Sequence, residues 1–344
     1  MNRRSARVAM LYQDPHPAHR GFAEAIDADL VDFQRHSLGS FSDSVVGDVY
    51  NGLRYPAYDV YLVEGSRPLY AALAHRATRR SKLVYLCADH GLYSLGQSDF
   101  EGSSGFKSLV GRFGTPAIGA IGSRFVDGVV AVSDFAAEFT RPIVGPHTPI
   151  EVAHPFIQPD VYDALGGVTP DMDANVAVTV GRPWRYKGVD MLVDAWPTVR
   201  ESIPDAELHV VGGGHPESYA ETPGVSVRGY VENLADAFAP ASLYVQPSRM
   251  DTFPVSTLEA MRAGLPPLVT ETTGTRSEAG ALSPNLVVDP APESLAAGVV
   301  DYFERDGDDR RELSARARER GTTFDAETRK EAFAEAFDAV LEAL

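Results

Sequence analysis

Short apolar runs recur along the chain, bounded by polar or turn-forming residues and separated by stretches with helical spacing. In the first half such runs predict strands at residues 7–12, 30–33, 59–63, 83–87 and 128–132. Helical patterns fall at 21–28 and 69–79, and Ser133 is placed to cap a further helix that it opens. The second half repeats the scheme, with strands at 176–180, 207–211, 225–227, 243–246, 267–270 and 286–288 and helices at 189–200, 234–238, 257–263 and 294–304. A last helix over 326–344 sets Phe333, Phe337, Leu341 and Leu344 on one stripe. Strands alternating with helices imply parallel βαβ units.

Between the halves, Pro146, Pro149, Pro155, Pro159 and Pro170 crowd together with Gly166, Gly167 and the acidic run at 171–173, a composition that reads as a linker. The 344 residues exceed one ordinary core, so two domains are expected. Their expected spans are 1–160 and 161–325, with 326–344 a terminal helix packing back on the first. The fold class is α/β: two Rossmann-like doubly wound domains facing a central cleft, with ligands at the carboxyl ends of the strands.

Candidate chemistry concentrates in the second half. The run 177–188, AVTVGRPWRYKG, takes a strand into Gly181, then Arg182, then Lys187 and Gly188 before a helical pattern. Two cations there meet the free N–H groups and partial positive charge of a helix start, a combination suited to phosphate. About 65 residues on, LYVQPSRMDTFPVSTLEAMRAG runs from a strand through Asp251, Phe253 and Pro254 into a helix carrying Glu259. The N–H groups of Ser256, Thr257 and Leu258 offer a second anion-friendly helix start, and a carboxylate beside it suits neutral hydroxyls.

These blocks, with LHVVGGG and VRGYVENLADAFAPASLYVQPS between them and DTFPVSTLEAMRAGLPPLVTETTG after, resemble glycosyltransferase family 4 in order and spacing. The likeness covers most of 176–291; in the first half it lies in layout and in GVVAVSDF. It implies the GT-B architecture and a retaining transferase of hexosyl type that uses a nucleotide-diphosphate sugar. By the resemblance, Arg182 and Lys187 hold the diphosphate, Glu259 the ribose, and Tyr230 and Val231 the surroundings of the base. Gly181, Gly212 and Gly214 line the cleft floor, and Phe253, Pro254, Val255, Ser256 and Thr257 complete the donor site. Asp251 takes the place of the first acid of the family's E-x7-E motif, which contacts the donor sugar; its carboxylate is one methylene shorter than the usual Glu. A nucleotide-sugar epimerase, a phosphorylase and a non-catalytic nucleotide-sugar-binding protein share the layout and stay open as alternatives.

In the first half, His90 ends a strand and is a candidate to orient the donor sugar or acceptor hydroxyl, with Asp89 beside it. His16 and His19 flank the first strand–helix loop, where the family carries glycines, so the acceptor is not named. His154 and His215 read as structural or exposed. The stretch 102–126 has no acid but holds Lys107, Arg112 and Arg124 among apolar residues. It reads either as a docking patch for a lipid-linked acceptor or anionic membrane, or as a glycine-rich loop with a core-facing stripe.

Charge changes the list of partners. Asp and Glu number 48 against 31 Lys and Arg, a net charge of −17, and Lys occurs only at 82, 107, 187 and 330. That balance suits high salt and disfavours nucleic acid. The single Cys87, in an apolar run, excludes an internal disulfide and reads as a buried hydrophobe. No cofactor or metal is expected: the Asp pairs 27/29, 171/173 and 306/308 read as solvated acids at a helix end, in the linker and in a polar turn. No leader or membrane-length apolar run is read, giving a cytoplasmic expectation, with peripheral contact at the inner membrane surface through the basic patch.

Overall fold

The computed structural model describes residues 6–12, 17–32, 50, 52–89 and 125–344. They form two compact units, Met1–Pro155 with Glu327–Leu344, and Phe156–Ala326.

The first unit runs β1 (Val8–Tyr12), α1 (Pro17–Ala25), β2 (Asp29–Asp32), β3 (Val60–Glu64), α2 (Ser66–Arg79), β4 (Lys82–Cys87), β5 (Gly128–Ala131), α3 (Asp134–Val144) and β6 (Ile150–Val152). The six strands are parallel in the order β2-β1-β3-β4-β5-β6. Runs such as VAMLY and KLVYLC are apolar throughout because helices cover both faces of such a sheet. Ser133 caps α3, its Oγ accepting from Ala136 N at 3.0 Å. Burial pushes the Cys87 thiol up to about 12, so it is an inert core group.

The second unit runs α4 (Pro159–Gly166), β7 (Val176–Val180), α5 (Val189–Ser202), β8 (Glu207–Val211), β9 (Val225–Gly229), α6 (Leu234–Phe238), β10 (Leu243–Gln246), α7 (Val255–Ala263), β11 (Pro267–Thr270), α8 (Arg276–Leu282), β12 (Val287–Val288), α9 (Pro292–Phe303) and α10 (Gly307–Gly321). Its parallel sheet has the order β12-β11-β10-β7-β8-β9. Leu192, Trp196 and Val199 of α5 share one core with Leu295, Val299 and Tyr302 of α9. Leu165 of α4, Phe238 of α6 and Ala260 of α7 share another with Tyr244.

The last helix, α11 (Ala326–Glu342), belongs with the first unit. Phe333 stacks on Phe22 of α1 with centroids 4.1 Å apart and planes at 6°. Its buried stripe is Phe333, Ala336, Phe337, Val340 and Leu341; Leu344 lies past its end.

Three sequence expectations are corrected. The proline-rich stretch 146–173 contains β6 and α4 rather than a bare linker, because Pro159 sits in the first turn of α4, where its missing N–H costs nothing. The polar turn at 306–308 is the start of α10. Asp306 caps it, accepting from Asp308 N at 2.9 Å and Asp309 N at 2.8 Å. Its buried positions, Arg310, Leu313, Ala317 and Gly321, keep helical spacing, but only Leu313 and Ala317 are apolar side chains, too few to show the period in the sequence. Asp29 opens β2 instead of ending a helix.

The order of the second sheet fixes where a ligand can enter. From β7 the chain steps outward to β8 and β9, then returns to β10 on the other flank and steps to β11 and β12. The loops after β7 and β10 therefore leave adjacent strands in opposite directions, opening a crevice at their carboxyl ends. Gly188 makes their close approach possible. Its φ is +70°, and a Cβ there would collide with the Pro247 carbonyl oxygen. Both tryptophans, Trp184 and Trp196, lie in this unit, so their fluorescence reports its unfolding. Gly188→Ala is expected to destabilise the unit by about 1–3 kcal/mol in urea unfolding followed by that fluorescence; an unchanged midpoint would show that the turn has room for a side chain.

Candidate active site

Two loops build the site. After β7, Gly181 N donates to Val211 O at 3.0 Å, Trp184 N to Arg182 O at 2.8 Å, and Lys187 N to Trp184 O at 2.8 Å. A 3-10 turn over Arg185–Lys187 ends in Gly188, and α5 begins without a side-chain cap. The loop after β10 is tied to this turn by Arg249. Its backbone N donates to Tyr186 O at 2.8 Å. Its guanidinium donates to Arg185 O at 2.7 Å and, through two nitrogens, to both oxygens of Asp190 at 2.7 Å. Burial opposes ionisation of Asp190, but the Arg249 bonds outweigh it and hold the carboxyl below its ordinary range.

Across the same junction Lys187 Nζ donates to Asp251 Oδ2 at 2.6 Å, with the side chains only 17% and 10% exposed. Asp251 is fixed from behind: its N donates to Thr272 O at 3.1 Å, and Gly274 N donates to its O at 2.8 Å. Thr270 Oγ1 and Thr272 Oγ1 donate to Ser248 O at 2.5 and 2.9 Å, closing the loop. Burial and the charge of Asp251 push the Tyr186 phenol far up, so it stays neutral.

Helix α7 starts after Pro254 with no side-chain cap. Thr257 N, expected from sequence to be open to an anion, instead donates to Pro254 O at 3.1 Å, so the N–H groups at its start that remain are those of Val255 and Ser256. Ser256 Oγ lies 2.8 Å from the hydroxyl of Tyr244, which sits 2.6 Å from Gln246 Oε1. Gln246 Nε2 in turn donates to Ser248 Oγ at 2.8 Å. This buried network sets the angle at which α7 leaves the sheet. Thr257 is fully buried, and Phe253 is buried against Phe324, centroids 6.3 Å apart; both are packing residues of the site's wall. Glu259, one turn in and partly buried, makes no hydrogen bond or ion pair among the described residues. Desolvation alone lifts its carboxyl to about 7.

Beneath Arg182 lies the glycine turn after β8. Gly212 has φ +135° and Gly214 φ +88°; a Cβ at Gly212 would strike the Gly181 carbonyl. His215 follows, 7% exposed, its Nε2 3.0 Å from Gly181 O and its Nδ1 buried without a partner. Arg182 itself is exposed. Its guanidinium lies 5.4 Å from the Trp184 ring centroid and makes no ion pair among the described residues. At the end of β9, Tyr230 is 79% exposed while Val231 packs on the core.

Of the residues named from sequence, Lys187 and Asp251 are thus in contact and Arg182 is held apart from them. Ser256 belongs to the Tyr244 network, and Glu259 stands alone. Sequence reasoning missed Arg249, the threonines at 270 and 272, and His215 as a support of Gly181. The arginine two residues before an expected site acid was the one available signal.

In the first unit, His19 Nδ1 lies 2.6 Å from Glu64 Oε1, and Tyr85 donates to Asp89 Oδ1 at 3.1 Å. His154 Nδ1 lies 3.1 Å from Val132 O, a structural contact. His90, His16, Lys107, Arg112 and Arg124 lie outside the described residues. Of the Asp pairs, Asp306 caps α10, while Asp173 and Asp308 are exposed as expected and share Arg311 at 2.8 and 3.1 Å on the surface. Among the described residues no three His, Cys, Asp or Glu side chains gather as metal ligands would, and no helix is long and apolar enough to cross a membrane.

Two helix starts, an exposed arginine, a lysine–aspartate pair and a glutamate unpartnered among the described residues therefore lie on the loops and helices that follow β7 and β10. The set can receive an anion and, beside it, neutral hydroxyls.

Residues 174–305 match the family model of Glycosyl transferases group 1, so the resemblance read from the motifs holds over this stretch. Mannosylfructose-phosphate synthase of Agrobacterium fabrum is 32% identical over 116 residues, 28% of this chain and 26% of that protein. The chain spans about a quarter of the length of the first curated relatives it matches. Sucrose-phosphate synthase from Thermosynechococcus elongatus superposes with a TM-score of 0.73 at 16% identity, covering 98% of this chain and 100% of that one. Anabaena HepE in complex with UDP-glucose gives 0.69 at 17%, covering 97% and 100%. The fold is that of GT-B glycosyltransferases.

Because Glu259 ionises more easily in the unfolded chain, the folded state holds a proton that the unfolded state lacks between about pH 4.5 and 7, and stability falls as pH rises through that window. Glu259→Gln is therefore expected to raise the melting temperature at about pH 8 and leave it unchanged near pH 4. An equal difference at both values would show that burial does not penalise the charge.

Proposed function

We propose that this chain, whose residues 174–305 match the group 1 glycosyltransferase model, is a retaining glycosyltransferase that draws a hexosyl group from a nucleotide-diphosphate sugar. The observation that supports the reading is the strand order, which sets β7 beside β10 so that the loops and helices after them carry uncapped helix starts, Arg182, Lys187 and a glutamate with no partner among the described residues. The diphosphate lies against Arg182, Lys187 and the N–H groups of α5 and α7. Glu259 accepts from ribose hydroxyls, whose donors lower the cost of its charge. Asp251 meets the donor sugar, and Tyr230 with Val231 flanks the base.

In the transfer the bond from the anomeric carbon to the diphosphate oxygen breaks, a bond to the acceptor hydroxyl oxygen forms, and the hydroxyl proton leaves with the diphosphate. Negative charge grows on the diphosphate along this path, so fixed positive groups act more strongly in the transition state than in the ground state. The reaction needs no resident metal in this reading. The acceptor is a glycan or a lipid-linked glycan, His90 is the candidate to orient its hydroxyl, and Lys107, Arg112 and Arg124 are candidates for peripheral membrane contact. The acidic composition fits a cytoplasmic, salt-adapted setting.

A binding protein without transfer would use the same crevice. The Lys187–Asp251 bond, which offsets the charge of both groups before any ligand enters, is the observation in its favour. Hydrolysis of the donor without acceptor separates the two, and product identity separates transfer from epimerisation.

A thermal-shift panel of UDP-, GDP- and ADP-sugars is expected to give one class that raises the melting temperature by several degrees at about 100 times its Kd. No shift with any of them would overturn the reading. Arg182→Ala is expected to lower turnover by about 10²–10³ with the melting temperature unchanged; full turnover would remove Arg182 from the chemistry.

A further inference from the structure

Arg182 and Lys187 each lie near an aromatic ring, Lys187 Nζ being 5.5 Å from the Tyr186 centroid, but among the described residues only Lys187 also has a carboxylate. The Lys187 ammonium already has an anion, the Asp251 carboxylate at 2.6 Å, and both are largely buried. Arg182 has none among the described residues. Its guanidinium lies over the ring of Trp184, and that ring stacks on Tyr186 with centroids 5.5 Å apart and planes at 26°. Trp184 is 49% exposed, whereas Trp196, the other tryptophan of the chain, is wholly inside the core.

We propose that Trp184 is a positioning residue: it seats Arg182 so that the guanidinium presents its N–H fork to the diphosphate with a charge that, unlike that of Lys187, no carboxylate among the described residues offsets. The inference rests on the donor reading above. Lying on an aromatic ring engages the face of a guanidinium and leaves its in-plane N–H groups open, which suits bidentate bonding to phosphate. A carboxylate in place of the ring would take donors of the fork and offset the charge; Asp251 takes one Lys187 donor and offsets its charge. An arginine that already rests on a surface also loses less rotamer freedom when an anion arrives than one waving in solvent.

The seat is itself supported down to the sheet. Arg182, Pro183 and Trp184 form a three-residue turn closed by Trp184 N on Arg182 O, with Pro183 at its centre. Pro183 packs over Gly214, where a Cβ would lie 3.6 Å from its Cγ. The Gly181 carbonyl that precedes the turn is held by His215. Tyr186, the under-layer of the stack, is pinned through its carbonyl by Arg249 N. Each contact fixes the ring without touching the N–H edge of Arg182.

The test uses the full chain, with UDP, GDP and ADP as probes and uridine, guanosine and adenosine as their phosphate-free counterparts. Binding of the nucleoside diphosphate that raises the wild-type melting temperature is expected to change tryptophan emission. Trp184→Phe is expected to lose that change while keeping most of the affinity, since a ring remains. Trp184→Ala is expected to weaken the nucleoside diphosphate by about tenfold and leave the nucleoside unchanged. In an Arg182→Ala background, Trp184→Ala is expected to add little, because both remove the same contact. Wild-type affinity in Trp184→Ala would overturn the inference, as would an equal loss for nucleoside and nucleoside diphosphate. If no nucleoside diphosphate raises the wild-type melting temperature, it is the donor reading that fails.

Discussion

The site depends on one junction, where the turn after β7 meets the loop after β10. Two parallel strands side by side bring these loops together only because the chain reverses its direction across the sheet between them. Adjacency alone would leave two surface loops free to move apart. Three contacts of different kinds close the gap: the bare Cα of Gly188 against Pro247, the two-nitrogen grip of Arg249 on Asp190, and the ion pair of Lys187 with Asp251. The last is the most enclosed. A lysine removed from water needs an anion, and a buried aspartate needs a cation. Each therefore fixes the loop that carries the other.

Below the junction one polar network is satisfied within itself. Tyr244, Gln246, Ser248 and Ser256 bond to one another, and Thr270 and Thr272 close on Ser248. A buried network completed in this way is rigid, so α7 leaves the sheet at a set angle. Glu259 departs from that pattern. Its carboxyl carries a desolvation cost with no partner to offset it. Under the proposed donor reading, its partners are hydroxyls that arrive with the ligand.

Much of this was legible in the amino-acid sequence. Apolar runs such as 176–180 and 243–246 are buried on both faces and cannot be read otherwise, so the sheet strands were found close to their true bounds. The cations and acids of the site stood out by their place after strand ends. What was not legible was pairing. Nothing in the spacing of Lys187 and Asp251 shows that they bond to each other, because the contact depends on strand order, which local patterns do not encode. Helix α10 was hidden by a surface almost wholly charged, and β6 and α4 by prolines that start elements as readily as they end them. Nor does the run 177–188 show that the Trp184 ring lies against Arg182, 5.4 Å from its guanidinium.

The central claim is that Lys187 and Asp251 lock the two loops as a unit. A double-mutant cycle with Lys187→Met and Asp251→Asn, measured by urea unfolding through tryptophan fluorescence, tests it most directly. The account predicts a coupling energy of about 1–3 kcal/mol, with the double variant less destabilised than the sum of the single ones. Single losses that add within about 0.3 kcal/mol would show that the pair does not hold the junction together.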